Sequence, residues 1–164
     1  MKDLTLIIPT KEESESLPIF LKELDTIDCV KLIVLQKEDL ETKEAIKEIS
    51  NIQIVQQINN GYGNALIEGI NATKTKYCCI INADGSMDPK YLQEMYKKCN
   101  DKDLIFASRY QKPGGGSNDD DIITLTGNYF FTTLGNIFFK TNISDILFTY
   151  ILGKTNSFKK LSLT

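Results

Sequence analysis

The chain has 164 residues, 41% of them hydrophobic and 25% charged, which is the composition of one folded domain with an ordinary core. Its net charge of −3, without a basic stripe, argues against a nucleic-acid-binding protein. The sequence contains no histidine, which excludes histidine-ligated metal sites and histidine general bases. Arg109 is its only arginine.

Short apolar runs alternate with helical patterns over most of the chain. Strands are predicted at residues 4–8, 31–35, 52–56, 77–81 and 104–107. Helices are predicted at residues 16–24, 41–49, 65–72 and 89–98. This alternation with short connections predicts an α/β fold with a mostly parallel central sheet and helices on both faces. After residue 107 the pattern is less regular, apart from an uncharged helix predicted over Ile122–Phe139.

Several features bear on location and domain organisation. Residues 1–3 lead directly into a strand, which predicts that no signal peptide is present. The four cysteines lack metal-ligand spacing, so reduced thiols are expected. The helix over Ile122–Phe139 contains too many Thr, Asn and Gly residues for a good membrane span. We therefore expect a single domain over residues 1–164 in the cytoplasm, either free or peripheral to the inner face of a membrane.

The most informative segment follows the fourth predicted strand. The apolar run stops at short oxygen-bearing side chains, among them Asn82, Asp84 and Ser86, and Pro89 then opens a helix. In open α/β sheets, ligands bind beyond the carboxyl ends of the strands. Asn82 and Asp84 are two residues apart, so both can point the same way and bind a hard cation. The alternative is an ordinary strand-to-helix turn capped by Asp88.

Two other predicted strands also end in candidate binding segments. After the first strand, Pro9 is expected to end the strand, while Thr10 and Glu13 offer a hydroxyl and a carboxylate to a ligand. The alternative is a helix-capping segment. After the third strand, Gly61 and Gly63 permit close backbone approach, and the amides of the following helix favour anions. A simple tight turn explains that segment nearly as well.

Arg109 follows the fifth predicted strand, shortly before a run of glycines. A guanidinium group suits bidentate phosphate binding better than an ammonium group does. A structural ion pair is the alternative.

The order of these segments resembles that of family-2 glycosyltransferases with the GT-A fold. The branch it resembles best contains dolichol-phosphate mannosyltransferase and related polyprenyl-phosphate sugar transferases. Residues 9–18 resemble the opening segment of that branch, residues 60–66 its glycine segment, residues 82–89 its metal motif and residues 108–110 its basic acceptor motif.

The resemblance implies sugar transfer from a nucleotide-diphosphate sugar donor, with inversion at the anomeric carbon. It implies a Mg²⁺ or Mn²⁺ ion that neutralises the leaving diphosphate. Asp84 would be the principal ligand of that ion, with Asn82 and Ser86 as weaker neighbours, and Arg109 would lie near the acceptor or the diphosphate. The nucleotide-sugar site would include Pro9, Thr10, Glu13, Gln36, Asn60, Gly61, Gly63, Asn82, Ala83 and Asp84.

The chain departs from the family pattern in four ways. Asn82 stands where the family usually has an acidic residue, so the ion should bind more weakly. Gln36 follows the second strand where paired aspartates are usual, so recognition of the base must differ. Asp119, Asp120 and Asp121 follow the glycines where the branch has arginines. Family members often continue into membrane segments, so a chain of this length is either a soluble variant or a fragment.

The acceptor therefore has two candidate chemistries. A polyprenyl phosphate is already ionised and needs no general base, but the three aspartates would repel it. A glycan hydroxyl needs a general base, which Asp119, Asp120 or Asp121 could supply.

Two hypotheses from other functional classes remain. The chain could be a nucleotide-sugar-binding protein that has lost turnover, which the changes at Asn82 and Gln36 favour. It could also be a sugar-phosphate nucleotidyltransferase, but residues 9–13 lack the glycine-rich basic loop that this class requires.

The large apolar side chains of residues 122–139 exceed what one helix face usually buries. They predict contact with a membrane surface, a lipid acceptor or another subunit, which includes homo-oligomer formation.

Overall fold

The computed structural model describes residues 1–111 and 122–163, which form six strands and six α-helices. The strands are β1 (Leu4–Thr10), β2 (Val30–Gln36), β3 (Ile52–Gln57), β4 (Tyr77–Ile80), β5 (Leu104–Phe106) and β6 (Ile151–Lys154). The helices are α1 (Ser16–Glu23), α2 (Leu40–Ala45), α3 (Tyr62–Ala72), α4 (Leu92–Lys98), α5 (Ile122–Phe139) and α6 (Thr155–Lys160). Short 3₁₀ turns follow α1 and precede α4, at Leu24–Thr26 and Pro89–Tyr91.

The chain divides into two compact units. The first contains Met1–Ile105 and Ile151–Thr164, and the second contains Phe106–Tyr150. The expectation of a single domain over residues 1–164 stays a prediction.

The described strands form one sheet in the order β3-β2-β1-β4-β6-β5. β1 pairs in parallel with β2 and β4, and β2 pairs in parallel with β3. β6 pairs antiparallel with β4. The predicted α/β fold with a mostly parallel sheet is therefore confirmed.

Helices cover both faces of this sheet. Along β1, successive side chains point to opposite faces, and all seven residues of the strand are buried. Ile7 and Cys78 pack in one core cluster with Ile70 of α3 and Phe158 of α6. Tyr77 precedes Cys78 and therefore faces the other way, where its ring lies 5.3 Å from that of Tyr96, close to the end of α4. This double coverage explains why β1, β2 and β4 are mainly apolar in sequence.

Pro9 does not end the first strand as predicted. β1 continues to Thr10, and Pro9 pairs with Val34 of β2. On the side of β4, the Ile7 carbonyl accepts a hydrogen bond of 3.0 Å from the Ile81 amide, just beyond the end of that strand. Because Pro9 lies two residues after Ile7, its backbone faces the same side of β1. β4 ends at Ile80, which pairs with Ile7, so it does not reach Pro9. Its missing N–H therefore interrupts only the ladder with β4, and pairing with β2 continues to Thr10.

Other differences from the predicted elements affect the ends of helices and the last part of the chain. α3 begins at Tyr62, so Gly63 lies in its first turn and not in the preceding loop. α2 ends at Ala45, and α4 begins only after its 3₁₀ turn. β6 and α6 were not predicted at all. β6 is only four residues long and pairs with a strand some seventy positions earlier, so local patterning gives it little signal.

Gly69 allows α3 to approach the sheet closely. A Cβ atom at this position would lie 2.4 Å from Ile7 Cγ2 and 3.0 Å from Val34 Cγ2. We predict that Gly69→Ala lowers the free energy of unfolding by about 1–3 kcal/mol through overpacking. Gly63→Ala is the matched control in the same helix, because a Cβ there meets nothing within 4 Å. It should be neutral or stabilising by up to about 1 kcal/mol. Urea denaturation of both variants measures the difference, and equal stability would contradict the packing described.

Candidate active site

Four parallel strands place their carboxyl ends side by side. Thr10 pairs with Leu35, Gln36 pairs with Gln57, and Ile80 pairs with Ile7. The segments that follow β1, β2, β3 and β4 consequently share one edge of the sheet. Within the first unit, the structure brings to this edge the residues predicted for the nucleotide-sugar site and the metal site, which are Pro9, Thr10, Glu13, Gln36, Asn60, Gly61, Gly63, Asn82, Ala83, Asp84 and Ser86.

The loop after β4 presents the carboxylate of Asp84 to solvent. Asp84 Oδ1 accepts hydrogen bonds from the amide and the hydroxyl of Ser86, at 2.9 and 2.6 Å. Gly85 between them has φ of +80°, a conformation that glycine adopts at little cost. Ser86 therefore orients Asp84, because its hydroxyl donates to the carboxylate.

Asp88 has a different role in the same loop. Its carboxylate accepts a hydrogen bond of 2.9 Å from the Lys90 amide and forms an ion pair with the Lys90 ammonium. Pro89 occupies the first position of the 3₁₀ turn. The interpretation of Asp88 and Pro89 as a capping arrangement is confirmed.

A hydrogen bond joins this loop to the amino end of α3. The phenol hydroxyl of Tyr62 donates to Asn82 Oδ1 at 3.0 Å. Tyr62 lies inside the glycine segment at the first helical position, but the sequence analysis did not select it as a site residue. In the sequence, only its position between Gly61 and Gly63 pointed to the site. Residue spacing does not reveal a hydrogen-bond partner twenty positions away.

The hydroxyl and carboxylate predicted after β1 have local partners. The buried Thr10 hydroxyl donates to the Ile8 carbonyl at 3.0 Å. The Glu13 carboxylate accepts a hydrogen bond from the Ser16 hydroxyl at the start of α1. These contacts shape the loop, and α1 begins at Ser16, but its N-cap residue Glu15 makes no side-chain capping hydrogen bond.

Asp39 fixes the position of the loop after β1, although sequence analysis did not select it. Its carboxylate accepts hydrogen bonds from the amides of Glu12, at 2.7 Å, and Thr42, at 3.1 Å. The Thr42 hydroxyl in turn accepts from the Glu13 amide at 2.9 Å. Burial of Asp39 acts to raise its pKa, but the hydrogen bonds from Glu12 and Thr42 outweigh it and lower the pKa. Asp39 thus caps α2 and binds the neighbouring loop in its ionised form.

The loop before α3 is held by two side chains. The Gln57 side-chain amide donates to the carbonyls of Asn59 and Gly61. The Glu68 carboxylate accepts hydrogen bonds from the amides of Ile58 and Asn59, at 2.9 and 3.0 Å. Gly61 has φ of +108° and precedes the first residue of α3. The amino end of α3 is therefore fixed, and both Gly61 and Gly63 are exposed there.

Arg109 lies in the second unit and forms a bidentate ion pair. Its Nε and Nη2 atoms lie 2.9 and 3.0 Å from the carboxylate oxygens of Asp145. The Asp145 side chain is fully buried, and the guanidinium lies over the rings of Tyr110 and Phe148 at 5.2 and 5.1 Å. The structural ion pair, considered as the alternative for Arg109, is therefore present. Asp145 was missed, although it is the only charged residue between Lys140 and Lys154.

Comparison with known proteins identifies the family. The model of Glycosyl transferase family 2 matches residues 5–162. The chain belongs to this family. Uncharacterized glycosyltransferases of Mycobacterium bovis and Mycobacterium tuberculosis are each 30% identical to it over 109 residues, which is 64% of this chain and 48% of theirs. The chain thus spans about half the length of the curated relatives it matches.

Solved structures share the fold at low sequence identity. Glucosyl-3-phosphoglycerate synthase from M. tuberculosis, in complex with Mn²⁺, uridine diphosphate and phosphoglyceric acid, matches with a TM-score of 0.68 and 11% identity, over 93% of this chain and 56% of that one. Mannosyl-3-phosphoglycerate synthase from Rubrobacter xylanophilus matches with a TM-score of 0.69 and 14% identity, over 94% and 54%. TarS of S. aureus matches with a TM-score of 0.59 and 14% identity, over 99% and 49%.

Some expectations stay predictions. The expected roles of Asp119, Asp120 and Asp121 concern residues outside the described part of the chain. None of the relatives above has the name of a polyprenyl-phosphate sugar transferase, so membership of that branch is not supported. Within residues 1–111 and 122–163, no helix is long and apolar enough to cross a membrane.

The bond between Arg109 and Asp145 yields a stability prediction. Arg109→Ala leaves a fully buried carboxylate without its ion-pair partner, so we expect a loss of about 3–5 kcal/mol in unfolding free energy. Asp145→Ala should cost less, because the Arg109 side chain is 23% exposed and can still be solvated. Glu94→Ala, which breaks the exposed pair with Lys98, is the control and should change stability little. Chemical denaturation of the three variants tests this order, and equal effects of Arg109→Ala and Glu94→Ala would contradict it.

Proposed function

We propose that this chain binds a nucleotide-diphosphate sugar at the shared edge of β1–β4 and transfers the sugar to an oxygen nucleophile with the help of a divalent cation. The observation that supports this most is the exposed Asp84 carboxylate after β4, whose neighbour Asn82 is hydrogen-bonded to the amino end of α3. A carboxylate for a cation and a helix amino end for an anion suit a metal-bound diphosphate together. Membership of Glycosyl transferase family 2 supports the same chemistry.

The diphosphate is proposed to lie against the amino end of α3. Exposed Gly61 and Gly63 have no side chains, so a phosphate can approach their backbone closely. The helix amides and the helix dipole favour negative charge at this end. Gln57 and Glu68 hold the preceding loop in place, so little ordering is needed when the donor binds.

The cation is proposed to bind Asp84 together with oxygens of the donor. The described residues include no cluster of three or more aspartate, glutamate or cysteine side chains that could hold a metal by themselves. Mg²⁺ commonly binds one or two carboxylates plus phosphate oxygens and water, so a single exposed carboxylate fits such a site. When bound, the ion would neutralise charge on the leaving diphosphate. The complex of glucosyl-3-phosphoglycerate synthase with Mn²⁺ and uridine diphosphate supports this assignment by analogy.

Asn82 is proposed as a weak second ligand. Its Oδ1 atom already accepts a hydrogen bond from Tyr62, so an ion would share that oxygen or displace the phenol. Ser86 is proposed to orient Asp84 through its two hydrogen bonds. Thr10 and Glu13 are proposed to shape the nucleotide pocket from behind, because their oxygens are engaged locally.

The proposed acceptor nucleophile is a glycan hydroxyl or a phosphate oxygen. A polyprenyl phosphate would meet an Arg109 guanidinium whose charge Asp145 already balances, and this observation weakens the case for a lipid phosphate. A hydroxyl acceptor requires a general base, and Asp119, Asp120 and Asp121 stay the candidates from sequence. A donor-binding protein without turnover is the second candidate function, favoured by Asn82 and Gln36 in place of the usual carboxylates.

We predict that Asp84→Ala removes the Mn²⁺-dependent part of uridine diphosphate binding, because it removes the exposed carboxylate of the loop. The expected loss is roughly tenfold or more in affinity, which corresponds to about 1.4 kcal/mol or more. Asn82→Asp should strengthen Mn²⁺-dependent binding, since it adds a second negative charge beside the first. Calorimetric titration of the nucleotide with Mn²⁺, and again with a chelator, measures both effects.

Asp88→Ala is the matched control, because Asp88 lies in the same loop but is paired with Lys90. It should leave Mn²⁺-dependent binding unchanged. If Asp84→Ala binds the nucleotide as well as the parent chain does, the metal assignment is wrong. Intact binding without release of sugar from any donor tested with acceptors of both kinds would favour the binding-only function.

A further inference from the structure

α5 packs against the rest of its unit through small and polar side chains. Asn128 is buried, and its amide donates to the Tyr110 hydroxyl at 2.7 Å. The Asn136 amide donates to the Ile143 carbonyl at 2.8 Å. A Cβ atom on Gly135 would lie 2.4 Å from Ile146 Cδ1, so the helix is in close contact there. This packing is the reverse of that of an ordinary surface helix, which turns its apolar side inward.

The large apolar side chains of α5 are accordingly exposed. One group of them recurs at helical spacings of three, four and seven residues and so forms a single stripe. We call this stripe the α5 face; it consists of Ile123, Phe130, Leu134, Ile137 and Phe138. These residues are between 38% and 82% exposed. An apolar stripe of this size is rare on a monomer and indicates an interaction surface.

We propose that the α5 face binds the α5 face of a second copy of this chain. The five residues of the stripe expose roughly 600 Å², as judged from typical apolar side-chain areas. Covered completely, that area is at the lower end of the roughly 600–1,000 Å² per partner that a specific interface buries. A twofold dimer, the commonest homo-oligomer, brings the same surface of both chains together. The stripe contains no charged residue, so no like charges face each other across the proposed interface.

The charge of the helix argues against a lipid bilayer as the partner. Helices that lie in a membrane surface usually have lysine and arginine on their polar side, which attract anionic lipids. α5 contains no basic residue, and the whole chain has a net charge of −3. An anionic membrane would therefore gain no electrostatic attraction from the helix and would repel the chain weakly.

Sedimentation velocity over a wide range of protein concentration tests the proposal. The parent chain should sediment as a dimer, and Leu134→Glu should sediment as a monomer, because the change puts a charge at the centre of the α5 face. Ile19→Glu is the matched control, since Ile19 is an exposed apolar residue on α1, and it should remain a dimer. A monomeric parent chain, or a dimeric Leu134→Glu variant, would overturn the proposal.

A charge-reversal experiment separates lost pairing from misfolding. Leu134→Glu and Leu134→Lys should each be monomeric, whereas an equimolar mixture should form a mixed dimer through the new opposite charges. Failure of the mixture to dimerise would overturn a contact centred on Leu134.

Liposome flotation with zwitterionic and anionic vesicles tests lipid as the alternative partner. Flotation of the parent chain with either vesicle, abolished by Leu134→Glu, would assign the surface to lipid instead.

Discussion

The candidate site depends on the parallel alignment of β1, β2, β3 and β4. Burial on both faces fixes this alignment, because a slip of one residue would turn every side chain of a strand to the opposite face. Ile7 and Cys78 lie in the core cluster of one face, whereas Tyr77 contacts Tyr96 on the other. The carboxyl ends consequently meet at one edge, and the chemistry of the protein is assigned to the loops that begin there.

Hydrogen bonds from side chains to backbone hold those loops. Asp39 binds the Glu12 amide after β1, Gln57 and Glu68 fix the loop before α3, and Tyr62 reaches Asn82 after β4. Most polar groups at this edge therefore position the backbone. The exposed carboxylate of Asp84 is the group that we assign to ligand binding, and a rigid surrounding is what such a site requires to bind without large ordering costs.

Local patterns in the sequence predict much of the fold. The alternation of apolar runs and helical patterns predicts the strands β1 to β5, and turn residues place Asn82, Asp84 and Gly61 at strand ends. Contacts between distant residues were not predicted. The pairings of Tyr62 with Asn82 and of Arg109 with Asp145 join positions 20 and 36 residues apart, and no spacing rule encodes them. β6 was missed for the same reason. The prediction that Pro9 ends the first strand was wrong, because the effect of its missing N–H depends on which neighbouring strand its backbone faces and where that strand ends.

The central claim is that a divalent cation and a nucleotide diphosphate bind together at the edge beside Asp84. Paramagnetic broadening of backbone amide signals by Mn²⁺, recorded by NMR with and without uridine diphosphate, tests it most directly. The account predicts that the nucleotide localises the ion, with the strongest broadening at residues 82–86, weaker broadening at the amino end of α3, and the weakest at residues 1–3 on the opposite edge. Broadening that is centred elsewhere, or that the nucleotide does not change, would contradict the account.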